Sequence, residues 1–85
     1  KDQLDEAMRY YKEALAIDEQ LGDLQGKARD LNNIGLLLFK QEKYAQALSN
    51  FENCVEILSS LGIYPKYLKK TMDWIESTRD KLQNH

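Results

Sequence analysis

Slid against itself by forty residues, this chain falls on a copy of itself. Leu4 meets Tyr44, Ala7 meets Ala47, Met8 meets Leu48 and Tyr11 meets Phe51. Ala14 meets Cys54, Leu15 meets Val55, Ile17 meets Ile57, Leu21 meets Leu61 and Gly22 meets Gly62. Each pair agrees in size or apolar character. A self-similarity at such a distance marks stacked supersecondary units, none of which buries its apolar face alone. One element is therefore used twice, with another element between its copies.

The apolar spacing is helical, and no stretch alternates as a strand does. Gly22 and Gly62 follow long periodic segments, the place of a helix C-cap glycine. Pro65 suits a first helical turn. Together these predict helices over 3–21, 24–40, 44–60 and 66–82. The connections are short, so successive helices should pack antiparallel. Gly35 stands in the middle of the apolar run "LNNIGLLLF". Glycine there costs roughly 1 kcal/mol relative to alanine, which predicts another helix in close approach. On the third helix, Glu52 and Glu56 should face water while Ala47, Phe51 and Cys54 are buried.

At 85 residues the prior is one small domain, with a core that is marginal on its own. Hydrophobic residues at 42% and charged residues at 31% place it in the globular class. A net charge of −2 gives no general attraction to nucleic acid or acidic membrane. The charge is graded, at −4 over 1–23, zero over 24–63 and +2 over 64–85. We read this as ordinary solvated helix faces. Cys54 is the only cysteine and no Cys/His cluster has zinc spacing, so a reducing, cytoplasmic setting is expected, with no metal and no cofactor. No membrane-length apolar run and no leader are visible. The chain begins at Lys1, which suggests a piece of a longer protein.

The central pair of segments resembles a tetratricopeptide repeat. That family's first helix carries a large residue, a large-small pair and another large residue, here Leu31, Ile34-Gly35 and Leu38. Its second helix carries small, aromatic and small residues, here Ala47, Phe51 and Cys54, with Tyr44 before them. The first segment repeats the second-helix pattern as Ala7, Tyr11 and Ala14. "LGDLQGKARDLNNIG" also resembles the long-repeat branch found in kinesin light chains and in scaffolds that bind G-protein regulatory motifs. The resemblance covers residues 1–62. It departs at Ser59, where a proline is usual, and at Trp74 and Ile75, which take the places of Ile34 and Gly35. The resemblance thus implies an all-α fold of antiparallel hairpins in a right-handed solenoid fragment. Its divisions would be 1–22 as the second helix of a preceding repeat, 23–62 as one complete repeat and 63–85 as a capping helix.

The resemblance further implies a protein-interaction module in which the first helix of a repeat lines a concave groove for a peptide or partner helix. Carried over, the groove positions are Arg29, Asn32, Asn33, Leu36, Phe39 and Lys40. An asparagine amide offers a donor and an acceptor to a peptide backbone, and Arg29 and Lys40 offer charge to a carboxylate. A peptide-responsive regulatory domain attached to an output domain is the alternative reading. Cys54 reads as a packed thiol, Glu13, Asp18 and Glu19 as a solvated face, and His85 as a terminal residue with no acid-base role. Lys66, Lys69 and Lys70 cluster near Tyr64 and Tyr67, without the stacking platform that single-stranded nucleic acid needs. No nucleophile–base pair, metal set or phosphate loop supports an enzyme. Leu4, Ala7, Met8, Tyr10, Tyr11, Ala14, Leu15, Ile17 and Leu21 spread too widely for one contact stripe, so homodimerisation through the first helix is expected.

Overall fold

The computed structural model describes residues 3–84; His85 lies outside the described residues. Four helices run in order, α1 (Gln3–Leu21), α2 (Leu24–Lys40), α3 (Tyr44–Leu61) and α4 (Tyr67–Gln83). They match the expected spans to within one residue at each end. The last begins at Tyr67 because a tight turn precedes it, with Leu68 N–H donating to the Pro65 carbonyl at 3.0 Å.

Three of the helices end by the same device. Asp23 N–H reaches back to the Asp18 carbonyl at 2.8 Å, and Ile63 N–H to Leu58 at 3.0 Å. This six-to-one bond needs a left-handed residue between helix and loop, and Gly22 (φ 71°) and Gly62 (φ 69°) supply it. At the end of α2, Lys43 N–H bonds the Leu38 carbonyl at 2.9 Å and the left-handed position is held by Glu42 at φ 62°. Helix α2 starts under a side-chain cap, the Asp23 carboxylate accepting from Gly26 N–H at 2.9 Å.

The core forms where α2 is enclosed by its neighbours. One cluster joins Ala28 and Leu31 of α2 to Cys54 and Leu58 of α3, with Leu15, Ile63, Tyr67 and Leu68 packed around it. The other joins Ile34 and Leu38 to Ala47 and Phe51, flanked by Met8, Tyr11, Phe39, Trp74 and Ile75. Early α2 thus meets late α3, and late α2 meets early α3, which is antiparallel packing. Leu15 touches both clusters.

Gly35 has the neighbour that its cost implies. A Cβ built there would stand 2.6 Å from Phe51 Cε1 and 2.8 Å from Cδ1. The ring occupies the space a side chain would take, so the glycine sets the distance between α2 and α3. Leu31, Ile34, Gly35, Leu38, Ala47, Phe51 and Cys54 are all buried, and Tyr44, Ala7, Tyr11 and Ala14 are half-buried.

Helix α4 closes the second side of α3 with different chemistry. Where α2 has Leu31 and Leu38, α4 has Thr71 and Thr78, both buried. Thr71 Oγ1 donates to Asn32 Oδ1 at 2.6 Å, and Thr78 Oγ1 donates to the Trp74 carbonyl at 2.6 Å. Trp74 stacks against Phe51 with ring centroids 6.4 Å apart. Glu52 and Glu56 keep solvent-exposed side chains, and Arg79 Nη2 lies 2.8 Å from Glu52 Oε2.

Candidate functional site

Helix α2 is buried along most of its circumference. Beyond Leu24 in its first turn, the positions left to solvent are Gln25, Arg29 and Lys40, with Asn33 and Leu36 half-buried between them. They recur at intervals of four, four, three and four, so they form one continuous stripe. Helix α4 runs beside it. The Thr71–Asn32 hydrogen bond joins the middle of α2 to the second turn of α4, and Phe39 meets Trp74 edge-on at 4.9 Å further along. Forty residues on from the α2 stripe, α4 carries Lys69, Asp73, Glu76 and Asp80, all exposed.

The exposed charges of the two helices are arranged by end. Arg29, Lys66, Lys69 and Lys70 are exposed toward one end, and Lys40, Asp73, Glu76 and Asp80 toward the other. At the first end a recess of about 310 Å³ is lined by Asp23, Gln25, Arg29, Pro65 and Tyr67. Asn33 stands between the ends, flanked by the apolar Leu36.

Two of the six expected groove residues are placed differently. Asn32 is buried, its amide oxygen already accepting from Thr71, because it points at α4 rather than outward. Phe39 is wedged between Tyr44, at 5.1 Å, and Trp74, so it forms the wall between α2 and α4. Leu36 is half-buried with one side against the Phe51 cluster. Arg29, Asn33 and Lys40 stay available to solvent.

The acidic stretch of α1 also departs from the sequence reading. Glu13 and Glu19 are exposed, and Lys27 Nζ lies 3.3 Å from Glu19 Oε2. Asp18 instead turns inward toward α2. It lies beside Gly26, where a Cβ would meet Asp18 Oδ2 at 2.7 Å and Asp23 Oδ2 at 2.6 Å. Next to it is Asp30, only 3% exposed. Burial pushes the Asp30 carboxyl up to about 6, helped by the hydrogen bond and charge of Asp18 and by Asp23, and opposed by Arg29. Sequence reasoning passed over Asp30. The signal was available, because Asp30 shares the i, i+4, i+8 stripe of Gly26 and Ile34, which faces α1.

Cys54 is buried and free. Burial pushes its thiol up to about 11, with the Tyr67 hydroxyl bonding to it and pulling the other way. Such a thiol is a packing group rather than a nucleophile. Among the described residues no three His, Cys, Asp or Glu side chains are placed to hold a metal ion, and no helix is long and apolar enough to cross a membrane.

Residues 1–60 match a family model described as tetratricopeptide repeat. No curated protein and no solved structure matches the chain.

Proposed function

Since the chain belongs to the tetratricopeptide repeat family, whose repeats are non-catalytic protein-interaction scaffolds, we propose that it binds an extended peptide or partner helix along the α2–α4 face. The observation that carries this is the stripe of Arg29, Asn33, Leu36 and Lys40, the one side of α2 not enclosed by packing. Asn33 is the central contact, clamping a backbone amide through both its donor and its acceptor. Arg29 and Lys69 attract an acidic or carboxylate-bearing segment at one end of the groove. The forty-residue offset supports a place in the long-repeat branch of the family, within a right-handed solenoid. Ile75, at the position Gly35 holds one unit earlier, supports reading 63–85 as a capping helix after one complete repeat at 23–62. The free Cys54 supports a reducing, cytoplasmic setting.

The test selects extended peptides from a displayed library on the wild-type chain and titrates them against Asn33→Ala. We expect affinity to fall about tenfold, the equivalent of one lost hydrogen bond of ~1.4 kcal/mol, with an unchanged melting temperature. Selected peptides that bind both proteins equally would place the site elsewhere.

A second association is supported by α1. Tyr10 is 67% exposed, Ile17 54% and Leu21 75%, whereas Met8 and Leu15 are half-buried against α2 and α3. With Ala7 and Ala14 the exposed residues space alternately at three and four, the spacing of a coiled-coil seam. Laid antiparallel against a second copy, the seam sets Ala7 opposite Leu21 and Tyr10 opposite Ile17. Ala7 then faces Leu21 as small against large, and Ala14 meets its own copy at the centre. A homodimer through α1 buries both seams about one two-fold axis. Sedimentation equilibrium from micromolar to millimolar concentration decides it, a monomer throughout being the refuting result.

A further inference from the structure

Asp18 of α1 and Asp30 of α2 form an arrangement that the peptide groove does not use. Two carboxyl groups from different helices face one another, the hydrogen bond and the charge of Asp18 both raising Asp30, and the Oδ2 of each is buried without a hydrogen-bond partner. Neither carboxylate brings a donor of its own, and two ionised carboxylates so close repel. Gly26 keeps the space open, since any side chain there would press on Asp18. The charged and titratable groups around Asp30 are Asp18 from α1, Asp23 from the connecting turn, Arg29 from α2 itself and Tyr67 from α4. Cys54 of α3 reaches this set through Tyr67. Only Arg29 is cationic, and it is exposed. A hydrogen donated by one carboxyl to the other supplies a donor where neither carboxylate has one.

We propose that Asp18 and Asp30 share a single proton across the α1–α2 contact, and that losing it loosens α1 from α2. The pair is a pH-responsive latch. With the proton in place, the two helices are joined by a short hydrogen bond between a carboxylic acid and a carboxylate, the strong charge-assisted kind. Without it, two like charges face each other in a site poor in water. Asp30 holds its proton more tightly in the folded chain than in the unfolded one. The stabilisation is therefore fully present below the ordinary carboxylate value and is lost as pH rises through the folded value.

The shift of Asp30 from 3.8 to about 6 makes the unfolding constant rise about tenfold between pH ~5 and pH ~7.5 as the proton leaves. The experiment measures urea unfolding of the wild type, Asp30→Asn and Asp18→Asn across that range. An asparagine keeps the donor and removes the charge. We expect Asp30→Asn to lose the tenfold dependence that the wild type shows and Asp18→Asn to weaken it, with Asp30→Asn the more stable protein at the upper pH. Wild-type and variant profiles that run parallel overturn the proposal. Should the variants fail to fold, the carboxyl carbon resonances of the labelled wild type give the answer. A midpoint for Asp30 near 6 supports the latch, and one at the ordinary aspartate value refutes it.

Discussion

Gly35→Ala tests the packing argument at its narrowest point. The new Cβ would lie 2.6, 2.8 and 3.1 Å from three carbons of the Phe51 ring. Carbon atoms rest at about 3.5–4.0 Å, so ring and helix must separate by roughly 1 Å. Phe51 has little room to yield. It is wholly buried among Ile34, Leu38 and Ala47, and Trp74 lies against it. Overpacking of this kind costs about 1–3 kcal/mol. Alanine returns roughly 1 kcal/mol through better helix propensity. The net expectation is a loss of about 0–2 kcal/mol, from a total of about 4–13 kcal/mol for a domain this size. Urea unfolding followed by far-UV circular dichroism reads the difference. The partner measurement repeats the substitution in a Phe51→Leu background. There the clash is relieved and alanine should be neutral or stabilising, giving a coupling of about 1–3 kcal/mol. A Gly35→Ala protein that gains its full propensity benefit with Phe51 in place would refute the reasoning.

Other substitutions probe the remaining contacts. Thr71→Val strands the buried Asn32 amide oxygen and should cost about 1–3 kcal/mol in the same assay. Thr78→Val should come close to neutral, because its hydroxyl bonds only its own helix backbone. Glu42→Gly relieves a left-handed backbone in a residue with a side chain and should raise stability by up to ~1 kcal/mol; no gain would mean that the Glu42 side chain has a compensating contact. Cys54, with its thiol pushed up to about 11, should react with a disulfide reagent in mildly alkaline buffer only as fast as the chain unfolds. Labelling as fast as that of a free cysteine would contradict its burial.

The sequence by itself determined the elements and most of their interior faces. Helix spans follow from apolar period and from Gly22, Gly62 and Pro65, because a left-handed cap and a missing N–H act on the local backbone wherever the chain goes. The forty-residue match of α1 to α3 fixed which residues are equivalent, and through the repeat pattern it pointed to Gly35 and Phe51 as facing positions. What only the tertiary structure decided lies at the junctions between helices. Asn32 and Asn33 are adjacent and chemically identical, yet one is spent on Thr71 and the other is open. Their difference of about 100° around α2 matters only once α4 is in place. Phe39 became a wall because Trp74 arrives from α4, a helix that follows the repeat pattern poorly. Asp18 and Asp30 are twelve positions apart in sequence and carry no motif. Their meeting depends on the antiparallel return of α2 along α1, and the energy of two like charges depends on distance and on excluded water. Local pattern records what one helix needs from its neighbours; it does not record which polar groups those neighbours bring.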